Sequence, residues 1–435
     1  MTNSARVVDT TLTAGQVGLW GGAMTNEMLL PVIPLLDRAG YDAIEVLDPF
    51  VFTAAVERLG EDPWERLRLV SKRLSRTPAS AWIAGRYLWG REAVSAKAIG
   101  SVVSLLARHG LGRLGCYDPL NDVLSLRDAI EEARDAGLDV FGGIVFALGE
   151  DYTEEYFCSR ARLLGELGCS GITLLDFSGT FHPECAQRFV PPLRNVLGEL
   201  PLEIRTQCRS GRAELACFMS LERGANVVHA ASDPLSGGDS VPSIDFFAEH
   251  LRREGFSSPI ERDVVASIRD YFEGVRDFWN LPRAYTKLYD ADVDLHQVPV
   301  GIDSAYSSTP LLAEVAVVRA KSGNPPMALP IARWLCEHAA RNLAEDKPGR
   351  PYQAPRARQV TPLEDFSTAK AVTASHFSED VLRRSQQLAE NLDRTAWDIS
   401  ARTPLEQLSG ELERRPWVRQ LRVGAGSFVF EGAAR

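Results

Sequence analysis

The sequence predicts an α/β fold, a (β/α)8 TIM barrel followed by a mostly helical C-terminal region. Three observations lead there. Eight short β-type runs alternate with longer amphipathic stretches over about the first 255 residues, the usual size of such a barrel, whereas an open doubly wound sheet more often closes with fewer units. Glycine repeatedly closes the amphipathic stretches, as at Gly40, Gly110, Gly137, Gly168 and Gly224. The β-type runs then largely disappear beyond Ser257.

In chain order the expected strands are Arg6 to Thr10, Ala43 to Leu47, Ala79 to Ile83, Arg113 to Tyr117, Asp139 to Phe146, Gly171 to Asp176, Leu202 to Thr206 and Asn226 to Ala230. Each is a short apolar run of the kind a parallel strand covered on both faces requires. Helical periodicity falls between them at Asn26 to Arg38, Trp64 to Leu74, Ala93 to Arg108, Leu126 to Ala136, Thr153 to Leu167 and Ala213 to Arg223. A barrel gathers the C-terminal strand ends at one mouth, which should bring together Asp9, Asp48, Asp118, Asp176, Arg205, Gln207 and His229. Beyond it, Ile260 to Trp279 reads as one long helix, Lys347 to Pro362 as a linker or arm, Ser378 to Leu392 and Pro404 to Leu412 as helices, and Val418 to Glu431 as a short strand pair. The expected divisions are a barrel over 1–256, a helical annex completing its mouth over 257–346, and an arm with helices over 347–435.

Composition limits the functions open to the chain. Its 435 residues are 45% hydrophobic and 24% charged, which is ordinary for a globular protein. A net charge of -10 argues against a surface that neutralises phosphate backbones, so nucleic acid is not an expected partner. Met1 to Val8 lacks the apolar core of a signal peptide, and no apolar run reaches bilayer-spanning length, so a soluble cytoplasmic protein with no membrane partner is expected. The seven cysteines include no Cys-x-x-Cys pair, which points to reduced thiols rather than a disulfide framework or a zinc site.

Six segments carry a resemblance: Val8-Asp9-Thr10-Thr11-Leu12, Glu61-Asp62-Pro63-Trp64-Glu65-Arg66-Leu67-Arg68, Tyr117-Asp118-Pro119-Leu120-Asn121-Asp122, Pro234-Leu235-Ser236-Gly237-Gly238, His296-Gln297-Val298-Pro299 and Gly323-Asn324-Pro325-Pro326. In this order and spacing they resemble the carboxyltransferase domain shared by pyruvate carboxylase, the oxaloacetate decarboxylase alpha subunit and the large carboxyltransferase subunit of transcarboxylase, from about residue 7 to about 335. The resemblance implies a divalent metal at the barrel mouth, held by an Asp after the first strand, a carboxylated Lys on the sixth and a His-x-His on the seventh, with biotin carrying the carboxyl group. At those positions this chain has Ala14, Leu175, Arg205 and Gln207. It has no His-x-His anywhere and no Lys between Lys97 and Lys287. No metal is therefore expected, and biotin would be met only on a separate carrier. The family's substrate-clamping Arg and its neighbouring Gln correspond to Ala84 and Arg86, and its proton-relaying Thr to Ile331.

The candidate catalytic residues are Arg205, Asp176, Asp118 and His229, and the candidate substrate contacts Arg86, Gln207, Arg209 and Asn121. Arg205 offers a guanidinium fork suited to a carboxylate or enolate-like oxyanion; the plainer reading pairs it internally with Asp176 or Asp118. Asp118 and Asn121 equally suit loop geometry through Asx-type hydrogen bonds. His229 is a general acid or base or a satisfied core histidine. Cys208, with Arg neighbours, is a nucleophile or an ordinary thiol, and Ser236-Gly237-Gly238 an anion-binding turn or a plain one.

Three functions follow as expectations. The first is a metal-free carboxyltransferase-like protein that has lost pyruvate carboxylation and serves as an auxiliary or non-catalytic subunit, pairing with an active carboxyltransferase paralogue. The second is a repurposed metal-independent lyase, decarboxylase or acyl transferase acting on a small carboxylate or 2-oxo acid, with arginines in place of the metal. The third is a small-acid sensor. A homodimer, or a heteromer with the paralogue, is the expected assembly.

Overall fold

The computed structural model describes residues 4–90, 93–282, 293–299, 308–352, 368–391, 420–423 and 426–429. Eight parallel strands close into one barrel in sequence order: β1 (Arg6–Asp9), β2 (Ala43–Leu47), β3 (Ala79–Ile83), β4 (Arg113–Tyr117), β5 (Asp139–Val145), β6 (Gly171–Leu175), β7 (Leu202–Arg205) and β8 (Val227–Ala230). β8 pairs back onto β1, with Val7 opposite Val228. All eight lie where the apolar runs predict them, within a residue at either end. The closing glycines adopt the left-handed conformation that helix C-termini favour, with φ of +81° at Gly40, +90° at Gly110 and Gly168, and +112° at Gly224.

One helix differs from expectation. The periodic stretch Asn26 to Arg38 forms three short pieces, Asn26–Leu29, Leu30–Val32 and Ile33–Leu36. Pro31 and Pro34 remove two of the N–H groups a continuous helix would use. The helix Pro183–Leu197 nevertheless carries Pro191 and Pro192 in its interior. Beyond the barrel, Arg262–Trp279 forms the long helix, Glu379–Asn391 a further one, and Gln420–Val423 pairs antiparallel with Gly426–Val429. The helix expected over Pro404 to Leu412 lies outside the described residues, as does most of the arm. Among the described residues, no helix is long and apolar enough to cross a membrane.

Two cores result. The larger lies between the barrel's outer face and its helices, with Ile44, Phe52, Trp64, Leu106 and Phe247 buried in it. The second belongs to the annex helices Thr309–Lys321 and Ile331–Ala344, where Val315, Val318, Leu335 and Cys336 pack together.

The landmark segments are largely the joints of this architecture. Asp62 caps the helix Pro63–Ser71, and buried Arg66 ties it to Glu61 at 2.8 Å, Asn26 at 3.0 Å and the Met24 carbonyl at 2.7 Å. Gln297 clasps the annex to the loop after β5: its carboxamide accepts from Leu148 N at 3.1 Å and donates to Leu148 O at 3.1 Å. Asn324 O accepts from the Tyr152 hydroxyl at 2.6 Å, and Arg319 donates to Pro325 O at 3.0 Å. Replacing Gln297 with Ala strands the Leu148 N–H, a loss of about 1–3 kcal/mol. The measurement is native-state hydrogen exchange, in which the Leu148 amide should exchange faster than in the parent while strand amides at β1 stay protected.

Candidate functional site

Strand alternation sorts the predicted mouth residues. Val8, Ala43 and Val227 form one interior cluster, so Asp9, next to Val8, falls on the outward phase of β1. The same alternation sets Leu175 inward and Asp176 outward. Inward from β7 come Glu203 and Arg205, and from β8 His229. The predicted set is thereby split between interior, mouth and surrounding loops.

Arg205 sits buried at the C-terminal end of the barrel, and its guanidinium is taken up internally. Its partners are not Asp176 or Asp118. Nη1 donates to Glu45 at 2.9 Å and Nη2 to Asp48 at 3.5 Å, both from β2 and its end across the barrel, while Nε has no partner. Burial raises the pKa of both carboxyls, Glu45 to about 7, with Arg205 acting the other way. Thr13 Oγ1 also donates to Glu45, at 2.7 Å. Glu45 went unassigned in the sequence, although a carboxylate inside the apolar run Ala43-Ile44-Glu45-Val46-Leu47 is the signal that would have marked it.

Asp176 serves its own loop. It accepts from the amides of Ser178 and Gly179 at 3.0 Å and of Phe181 at 2.8 Å, and from Thr206 Oγ1 at 2.7 Å. Asp118 likewise accepts from Leu120 N at 2.8 Å, Asp122 N at 3.0 Å and Ser125 Oγ at 3.0 Å. Asn121 bonds both backbone groups of Val145, at 2.7 and 2.8 Å, holding the end of β5 from a left-handed φ of +59°. The Asx-type loop reading therefore describes Asp118 and Asn121. Arg209 turns away from the mouth, donating to Val298 O at 2.7 Å and pairing with Asp239 at 3.3 Å. Arg86 stands exposed after β3, and Gln207 is buried with Oε1 unpartnered.

His229 lies inside the barrel with Nε2 3.0 Å from Glu203, and burial holds its pKa down to about 4. It is a core histidine hydrogen-bonded to a carboxylate. Burial also drives the Cys208 thiol well above its ordinary pKa, which leaves little nucleophilic thiolate. Gly237 N donates to Val241 O at 2.9 Å, so the Ser236-Gly237-Gly238 turn closes on its own backbone there.

Around Arg205 the mouth is apolar. Trp82, Ala84, Tyr117, Val145, Leu175 and the annex residue Ala328 form one buried cluster, with Tyr87 and Phe177 packed against it. The Trp82 indole crosses strand glycines: a Cβ at Gly115 would overlap its ring, and one at Gly143 would lie 2.9 Å from it. At the four positions where the resemblance places metal ligands stand a methyl, an isobutyl, a guanidinium and a carboxamide. A divalent ion needs anionic or imidazole donors, and the guanidinium repels it, so these residues do not fit a metal. Ile331, at the proton-relay position, is buried in the annex core and has no hydroxyl.

No family model matches the chain. It is 28% identical over 354 residues to a pyruvate carboxylase subunit of Methanocaldococcus jannaschii, covering 79% of this chain and 62% of that protein. It is 25% identical over 333 residues to the methylmalonyl-CoA carboxyltransferase 5S subunit of Propionibacterium freudenreichii subsp. shermanii, covering 74% of this chain and 66% of that one. The chain thus spans less than two thirds of the length of each of these relatives. Among solved structures, the carboxyl transferase domain of Rhizobium etli pyruvate carboxylase with pyruvate superposes with a TM-score of 0.76 at 20% identity, covering 88% of this chain and 68% of that one. The homologues of this chain include a separate pyruvate carboxylase subunit and the transcarboxylase 5S subunit, and its barrel is that of the pyruvate carboxylase carboxyltransferase domain.

Proposed function

We propose that this chain is a metal-free carboxyltransferase-like protein that has lost pyruvate carboxylation and serves an active carboxyltransferase paralogue as its auxiliary, non-catalytic subunit. The observation that carries the reading is Arg205: the cation at the mouth is bound by Glu45 and Asp48 beside an apolar cluster. Fold alone assigns no chemistry, so the reading rests on these side chains. Two relatives are by name subunits of larger enzymes, which supports a heteromer.

A second reading, a repurposed lyase, decarboxylase or acyl transferase, draws on two buried groups without partners, Arg205 Nε and Gln207 Oε1, which together offer a donor and an acceptor to a small carboxylate or 2-oxo acid. Thermal melts with pyruvate, malonate and oxaloacetate separate the two, because a ligand selective for the native state raises its stability by mass action. No shift is expected for the auxiliary subunit, and a saturable shift that Gln207→Leu abolishes would favour the enzyme.

Purified protein is expected to contain no stoichiometric Zn, Mn or Co, to neither carboxylate pyruvate nor decarboxylate oxaloacetate with or without added metal, and to form a stable heteromer when mixed with the paralogue. One metal per chain by elemental analysis, or robust turnover, would overturn the proposal.

A further inference from the structure

The interior of the barrel holds one connected line of charge. Arg6 pairs with Asp42, whose other oxygen accepts from Arg113 at 3.2 Å, and Arg113 pairs in turn with Glu203. Glu203 also accepts from Thr173 Oγ1 at 2.8 Å and meets His229 Nε2 at 3.0 Å. His229 Nδ1 has no hydrogen-bond partner and lies 3.9 Å from Glu45 Oε2, which is bound to Arg205; Asp48 closes the line at the mouth. Three guanidiniums thus face four carboxyls and one imidazole.

An unbalanced charge in a buried interior is costly, so the line needs one proton beyond those of its arginines. Its place can be found by elimination. Glu203 is held ionised by Arg113 and the imidazole, Asp42 lies between two guanidiniums, and Asp48 accepts the Val51 amide at 2.8 Å as well as Arg205. Glu45 and His229 remain. The groups facing them are Arg205 and Glu203 of β7, Asp48 at the end of β2, Arg113 of β4 and Thr13 of the loop after β1, with Tyr117 of β4 beside Asp48.

We infer that Glu45 and His229 hold a single exchangeable proton between them, and that folding moves it from the imidazole to the Glu45 carboxyl. Arg205 is then matched one to one by Asp48, and the unprotonated His229 Nδ1 faces the protonated carboxyl. The electrostatics agree: burial lifts Glu45 from 4.5 to about 7 and lowers His229 from 6.5 to about 4. Between pH 4.5 and 6.5 the unfolded chain carries one proton, on the imidazole, and the folded chain also carries one, on the carboxyl. With equal proton numbers in both states, the pair adds no pH dependence to wild-type stability over that window.

Each half of the pair alone should reveal a slope, and the two slopes have opposite signs. Glu45 binds its proton more tightly in the folded state, so its contribution falls as pH rises; His229 binds its proton less tightly, so its contribution rises. In urea unfolding of the full chain, the folding constant of Glu45→Gln relative to wild type should therefore increase tenfold per pH unit from 4.5 to about 7. That of His229→Gln should decrease tenfold per unit from about 4 to 6.5. Flat ratios, or two ratios moving in the same direction, would overturn the inference. Should either variant fail to fold, the wild-type protein labelled with 13C at glutamate carboxyls gives the second measurement: one buried resonance titrating near 7 is expected, and its absence would place the proton elsewhere.

Discussion

Leu175→Lys, which returns to β6 the residue the resemblance calls for, should be the most damaging single change at the mouth. Leu175 is fully buried among Trp82, Tyr117, Val145 and Ala328, and in strand register it lies opposite Arg205. A lysine there meets no carboxylate assigned to it and stands beside a cation. Buried lysines survive by giving up their proton, with pKa values lowered by about 3–5 units, which corresponds to about 4–5 kcal/mol at neutral pH. The cost has a direction. Because the folded pKa is depressed, the penalty shrinks as pH rises toward the ordinary lysine value, so melting temperatures of variant and parent should draw together as pH is raised above neutral. A variant as stable as the parent at neutral pH would mean the mouth is wetter than the Trp82 cluster indicates.

Arg205→Met is the second large effect, expected to lower unfolding stability by on the order of 3–5 kcal/mol because it leaves Glu45 and Asp48 buried without their cation. The loss should be larger at pH 8, where both carboxyls would have to stay ionised, than at pH 5.5, where Glu45 can retain its proton. Denaturant melts at the two pH values check both statements. A loss below 1 kcal/mol at pH 8 would show that the guanidinium is dispensable to the fold and open to a ligand.

The barrel was legible because its signals are local. An apolar run of five residues such as Ala79 to Ile83, followed by an amphipathic stretch and a glycine that supplies a left-handed C-terminus, encodes one strand-helix unit without reference to the rest of the chain. Where local signals conflict, periodicity alone misleads: Asn26 to Arg38 has the helical repeat, but Pro31 and Pro34 interrupt the hydrogen-bond ladder.

The site was legible only in part. Which residues reach the C-terminal strand ends follows from strand position, and Arg205 and Asp48 are indeed there. Which of them meet is decided across the barrel, between strands that are not neighbours, by tilt and stagger that no single segment contains. Arg205 and Glu45 are 160 positions apart, and the nearer-looking partners Asp118 and Asp176 are already engaged by their own loop amides. Local hydrogen bonds of that kind outcompete a distant charge because they cost no extra chain ordering.

Trp82 also limits the order in which this barrel can change. Neither Gly115 nor Gly143 adopts a left-handed backbone, so nothing in their own conformation demands glycine. Their neighbours do. At Gly115 the indole alone stands within 2.5 Å of where a methyl would sit, while at Gly143 the indole shares that space with Leu175 and Tyr117. Drift at these sites is therefore directional: residue 82 must shrink before the fourth strand can gain a side chain at 115, and the fifth strand must wait for residue 175 as well. A lineage that has acquired the tryptophan has closed the shorter routes by which inward-facing ligands could be rebuilt on those two strands.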